Sequence, residues 1–190
     1  MDALSRARTL TIPEQIESER LILRATKAMD APEAFEAVRE SVQELAPWMP
    51  WAHPNPTLEG SVEFHGMAHA KWATREMLDF QWIDKASSKL VGKGGLHTIN
   101  WEVPKFEIGY WVRTGMTNRG YCTEAVNALA AFAKQQLGAR RLEICSDPRN
   151  EKSRRVAERC GFVLEGILRR NMRDPTGSLR DSCMYAIVFE

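Results

Sequence analysis

Short runs in which apolar and polar residues alternate are separated by longer runs with a helical period. Residues 21–26 (LILRAT) read as a short strand. Asp30 then caps a helix to about Leu45, on which Phe35, Val38, Val42 and Leu45 recur every three or four residues. Four prolines between residues 45 and 56 forbid regular structure there, and Trp48 and Trp51 stand three apart among them. Thr57 opens a second helix to about Arg75. From Met77 the period falls to two: strands are expected over 78–84, over a glycine-weakened 90–100, and over 105–113. A polar turn leads into a helix that carries Ala125, Val126, Leu129, Phe132, Ala133 and Leu137 and stops at Gly138. A strand over 140–147, a helix over 148–162 with Asn150 as its cap, and two strands joined through Asp174-Pro175-Thr176-Gly177 complete the chain. Residues 1–18 show no strong period and read as a loosely held leader.

That order of elements is α/β: a mixed sheet with a central β–α–β–α–β unit. At 190 residues it is expected to form one domain over 1–190, with no repeat or linker. Twenty-six basic and 25 acidic residues leave a formal charge of +1, which argues against binding nucleic acid through bulk electrostatics. No apolar run approaches a membrane span, and the N-terminus has no signal-peptide core. The four cysteines form no CxxC pair, so a reducing cytoplasm is the expected compartment. His65 and His69 have metal-like i,i+4 spacing but no third ligand nearby, so no metal site is expected.

Gly120 changes the picture, because it stands before a helix rather than after one. A glycine there lets the backbone approach a ligand, and the unbonded N–H groups of a first helical turn favour an anion. GxGxxG and Gly-Lys-Ser/Thr patterns are both absent, so neither a dinucleotide fold nor a Walker loop accounts for it.

Four segments in this order, EIGYWVR, TNRGYCTEAVNALAAFA, NEKSRRVAERCGF and FVLEGILRR…LRDSCMYAIVF, resemble the GCN5-related N-acetyltransferases (GNAT), and more closely their RimJ/RimL-type branch. The resemblance runs from Ser18 to Glu190. It implies the GNAT fold, with a mostly antiparallel sheet of about seven strands and about four helices, the fourth and fifth strands splayed. It also implies an acetyl-coenzyme A-dependent N-acetyltransferase, with a protein N-terminal amine as acceptor and a homodimer as the assembly carried over from relatives.

By the same resemblance the amides of Asn118, Arg119, Gly120, Tyr121, Cys122 and Thr123 hold the pyrophosphate, although Thr117 and Cys122 depart from the usual Gln/Arg-x-x-Gly-x-Gly/Ala pattern. Trp111 and Val112 flank the pantetheine arm, and Asn150 contacts it. Ser153 lies near the thioester sulfur and is the substitute proton donor, because the usual tyrosine position is Ala157. Read from the residues alone, Asn150 and Ser153 are ordinary helix capping. Glu107 is a carboxylate on a central strand, costly unless paired or employed, and is the candidate general base, with His97 and Asn100 behind it. Trp48, Trp51 and His97 are the candidate acceptor contacts. Cys122 as a covalent nucleophile has no base beside it in sequence. Two rival readings stay open: a small-molecule acetyltransferase for a polyamine or aminoglycoside, and a coenzyme A-binding sensor without catalysis.

Overall fold

A computed structural model describes residues 3–190 of the chain. Eight strands form one sheet in the order β1-β2-β3-β4-β5-β6-β8-β7. They are β1 (Gln15–Glu17), β2 (Leu21–Ala25), β3 (Leu78–Asp84), β4 (Leu90–Asn100), β5 (Lys105–Val112), β6 (Arg141–Ser146), β7 (Val163–Arg173) and β8 (Leu179–Val188). Five α-helices accompany them: α1 (Ala3–Thr9), α2 (Ala31–Leu45), α3 (Leu58–Thr74), α4 (Tyr121–Leu137) and α5 (Glu151–Arg159). The strand and the helix beyond the expected seven and four both come from the leader. Residues 3–9 are helical, Gln15–Glu17 pair antiparallel with Ile22–Arg24, and Ala7 and Ile12 are buried. Residues 1 and 2 lie outside the described residues.

Helix boundaries follow local chemistry. The Thr57 hydroxyl accepts from Gly60 N–H at 3.1 Å and starts α3, and the Asn150 side chain accepts from Ser153 N–H at 3.1 Å and starts α5. Asp30 precedes α2 as expected but does not cap it with its side chain. Its carboxylate turns back to Arg24 (2.7 and 3.1 Å) and to Lys27 N–H (2.7 Å), closing a 3-10 turn ahead of the helix.

Two apolar layers hold the sheet. On one face α4 buries Val126, Leu129 and Phe132 against Phe80, Phe106 and Ile108. On the other a smaller cluster joins Ala34 and Ala37 of α2 to Leu90 and Trp111. Residues of β5 alternate between these layers, as their sequence pattern requires.

The glycines of β4 are packing residues. A Cβ on Gly95 would sit 2.0 Å from the Leu78 carbonyl oxygen, which is backbone and cannot move aside. Gly95→Ala is therefore expected to lower unfolding free energy by about 1–3 kcal/mol, the cost of overpacking, read as a shift in denaturant midpoint.

The feature that positions the site is a parting of strands. β5 and β6 pair in parallel through only three positions, Lys105↔Arg141, Phe106↔Leu142 and Glu107↔Glu143. Beyond Glu107 they diverge. The expected splay is present, one strand number later because β1 precedes it.

Candidate active site

A cavity of about 690 Å³ opens where β5 and β6 separate. One end lies under the Trp48–Pro56 segment and the facing helices α2 and α3; the other reaches the N-terminus of α5. The structure brings Glu107, Trp111, Asn150 and Ser153 to its wall, together with Trp48, Trp51 and His97.

Glu107 has a side chain 21% exposed, with its Oε2 4.0 Å from His97 Nδ1. His97 lies across β5 because residue 109 is glycine: a Cβ there would stand 2.6 Å from His97 Nε2. Asn100 is spent elsewhere. Its side-chain oxygen accepts from the N–H groups of Glu102 and Val103 at 3.0 and 3.1 Å, shaping the β4–β5 turn.

Ser153 has a partner that the sequence reading missed. The Tyr110 phenol reaches both its hydroxyl and its carbonyl, each at 3.1 Å. Burial holds that phenol protonated, far above its ordinary range. No tyrosine is available from α5, where Ala157 is fully buried, but one arrives from β5 at Ser153. A signal existed: Tyr110 falls on the core face with Phe106 and Ile108, and a buried tyrosine needs a hydrogen-bond partner.

The Trp111 ring lies in the α2 layer, 6.1 Å from the Trp51 ring centre and tilted to it by 54°. It walls the roofed end of the cavity. Val112 faces the α4 layer instead.

Residues 118–123 are outside the cavity wall, at the start of α4. Asn118 and Gly120 are left-handed, at φ +60° and +81°. The first helical bond runs from Glu124 N–H to the Gly120 carbonyl at 3.1 Å, so the amides before it stand ahead of the ladder. Side chains here brace the turn. Tyr121 donates to Asp84 at 3.0 Å, and Thr123 accepts from Arg159 at 3.2 Å. Arg20 stacks 4.5 Å over the Tyr121 ring, donates to the Arg119 carbonyl at 3.0 Å and pairs with Glu124 at 2.7 Å. The Arg119 residue is exposed. Burial, with Cys160 adding to it, pushes the Cys122 thiol far above its ordinary range, which removes it as a nucleophile at neutral pH. Backbone N–H groups ahead of the helical ladder and the helix dipole make this turn favourable to an anion.

A buried polar group floors the roofed end. His65 Nδ1 lies 2.6 Å from the Ser61 carbonyl, which can only accept, so Nδ1 carries the proton and Nε2 faces Lys93 Nζ at 3.1 Å. Lys93 also pairs with Asp79 at 3.0 Å. The i,i+4 histidines thus do unlike things: His65 joins this network, and His69 is exposed. Burial, reinforced by Lys93, lowers the His65 pKa. Below the ordinary histidine range of about 6.5 the unfolded chain takes up a proton that the fold resists, so stability falls with pH from there. A urea midpoint that declines from pH 7 to 5.5, with the slope abolished in His65→Gln, is the expected result.

The comparisons agree with this architecture. The acetyltransferase (GNAT) domain family matches residues 20–163. YdaF of Bacillus subtilis (strain 168), named provisionally as a ribosomal N-acetyltransferase, is 30% identical over 174 residues, covering 90% of this chain and 92% of its own. Among solved structures, the microcin C7 self-immunity acetyltransferase MccE, in complex with acetyl-CoA and AMP, superposes with a TM-score of 0.86 at 24% identity, covering 95% of this chain and 99% of its own. RimL, the ribosomal L7/L12 α-N-protein acetyltransferase, in complex with coenzyme A, gives 0.85 at 21% identity, with 94% and 97% covered. Both of those likenesses speak for the fold. With the family match spanning most of the chain, and with strands parting beside an exposed helix N-terminus, the protein belongs to the GNAT acetyltransferases.

Proposed function

We propose that this acetyltransferase moves the acetyl group of acetyl-coenzyme A directly onto a protein or peptide N-terminal amine, both substrates being bound at once. The observation that carries the reading is the gap between β5 and β6, with Glu107 and the Tyr110–Ser153 pair both lining it. The name of YdaF supports the acceptor class, and the aromatic roof at Trp48 and Trp51 suits a peptide better than a bare sugar.

The diphosphate would lie on the amides of residues 118–123, and the pantetheine arm along the unpaired edge of β5 beside Val112, since the Trp111 ring is turned to the acceptor end. Glu107, acting through water, takes one proton from the incoming ammonium. The freed amine attacks the thioester carbonyl carbon; a C–N bond forms and the C–S bond breaks. A second proton leaves the nitrogen and ends on the sulfur. Ser153 donates a hydrogen bond to the departing thiolate, and the Tyr110 phenol, which donates to the Ser153 carbonyl and lies 3.1 Å from its hydroxyl, holds that residue in place. Because burial holds the phenol so firmly protonated, the pair stabilises charge and does not itself ionise.

The test is thiol release from acetyl-coenzyme A against N-terminal peptides, polyamines and aminoglycosides. Turnover on peptides is expected. Turnover confined to polyamines or aminoglycosides would overturn the acceptor assignment. Tight coenzyme A binding with no turnover at all would favour the sensor reading, for which Ala157 in place of a tyrosine is the one specific observation.

A further inference from the structure

Arg180 occupies an unusual position. Its side chain is only 10% exposed, yet among the described residues no oxygen acceptor comes closer than 3.5 Å. Nη1 lies 3.5 Å from Asp147 Oδ2, Nη2 lies 3.9 Å from the Met172 sulfur, and Nε is buried without a partner among the described residues. Asp147 is its counter-ion only at 3.5 Å and is shared, because Arg149 holds both carboxylate oxygens more closely, through its backbone N–H at 2.8 Å and its guanidinium at 3.0 and 2.7 Å. A guanidinium carries five donors in a planar fork suited to a carboxylate, and a buried one left short of acceptors is costly. Arg180 lines the same cavity as Glu107.

Register fixes how the two relate. Glu107 lies opposite Glu143, and Cys145, two residues on, lies opposite Met184. Alternation along β8 then puts Arg180 on the face of Met184, and so on the face of Glu107. The Cys145 thiol between them feels both: burial raises its pKa, Glu107 adds to the rise and Arg180 opposes it. β5 and β8 are separated by β6, two strand spacings or about 10 Å. Glu107 is level with Ala186, so Arg180, six residues further along β8, has its Cα about 22 Å from that of Glu107, a span that the two long side chains shorten from both ends. An amine at Glu107 and an anion at Arg180 must therefore be several bonds apart in the acceptor. The α-carboxylate of a free amino acid is too close to its own amine to reach. An acidic side chain at the second or third residue of a peptide has the length.

We infer that Arg180 is a specificity-determining residue that holds a carboxylate of the acceptor, so that the preferred acceptor is a peptide N-terminus followed within two residues by Asp or Glu. This rests on the peptide acceptor proposed above. The two are separated by measuring binding as well as transfer. Isothermal titration of the protein with coenzyme A present uses three peptides that share a first residue and carry Glu, Gln or Lys at the second and third positions. The Glu peptide is expected to bind at least about tenfold more tightly than the Gln peptide, within the range for a charge-assisted pair. In Arg180→Gln that ratio falls to near one, and Arg180→Lys, which keeps the charge but loses the fork, keeps part of it. Thermal melts of both variants confirm that they fold.

A wild-type ratio near one, a ratio that survives Arg180→Gln, or a free amino acid bound as tightly as the Glu peptide overturns the inference. Acidic-peptide binding without acetyl transfer would sink the proposed reaction and leave the role of Arg180 standing.

Discussion

Glu107→Gln lowers kcat for acetyl transfer by a factor of about 10²–10⁴, the contribution expected of a lost general base. The amide keeps the volume and much of the hydrogen bonding of the carboxylate but has no basic oxygen. The loss should fall on kcat, because Glu107 stands on the wall away from the α4 turn, and the KM for acetyl-coenzyme A should move far less. Steady-state kinetics with both substrates varied, and a coenzyme A titration of the variant, check this. A variant within threefold of wild type would place the base elsewhere. His97, whose Nδ1 is 4.0 Å from Glu107, would be the next residue to replace.

A second large effect is expected at Gly120, where φ is +81°. Most side chains resist that conformation by about 1–2 kcal/mol, but Asn and Asp tolerate it. Space is not the obstacle, since the nearest atom to a Cβ is Arg20 Nη2 at 3.4 Å. Gly120→Asn and Gly120→Asp therefore differ chiefly by one negative charge at a helix N-terminus. That charge favours the fold, through the helix dipole and Arg20, but opposes a diphosphate. The Asp variant should melt no lower than the Asn variant and yet show a KM for acetyl-coenzyme A at least about tenfold higher, a difference of about 1.4 kcal/mol. Opposite signs on stability and affinity cannot come from misfolding. Equal KM values for the two would show that no anionic group rests on this turn.

Periodicity located most of the elements from β2 to β8 because each either alternates or carries a helical stripe. It also put Glu107 and Trp111 on one face of β5 and Tyr110 on the other. The three-residue strand Gln15–Glu17 escaped because it is short, largely exposed and polar at two of its three positions. Its signal is the pairing, which no local pattern encodes. Tyr110 and Ser153 meet across 43 residues, and only the fold shows that a phenol missing from α5 is supplied by β5. Arg180 carried no signal of its own, because sequence does not reveal that Arg149 holds Asp147 more closely. The glycines of β4 looked like weakness in a strand. Their reason is the closeness of neighbouring backbones.

The bracing of the α4 turn by Arg20 links two regions that are about 100 residues apart in the chain. Ser18 and Arg20 together supply the Glu124 carboxylate with three hydrogen bonds of 2.6–2.7 Å, and β1 and β2 begin and end on either side of them. The turn and the Ser18–Arg20 corner are therefore expected to loosen together. Amide exchange at 118–123 should then follow loss of the Glu124 contacts as well as fraying of α4, and an anion seated on the turn should slow exchange at the β1–β2 corner that it never touches.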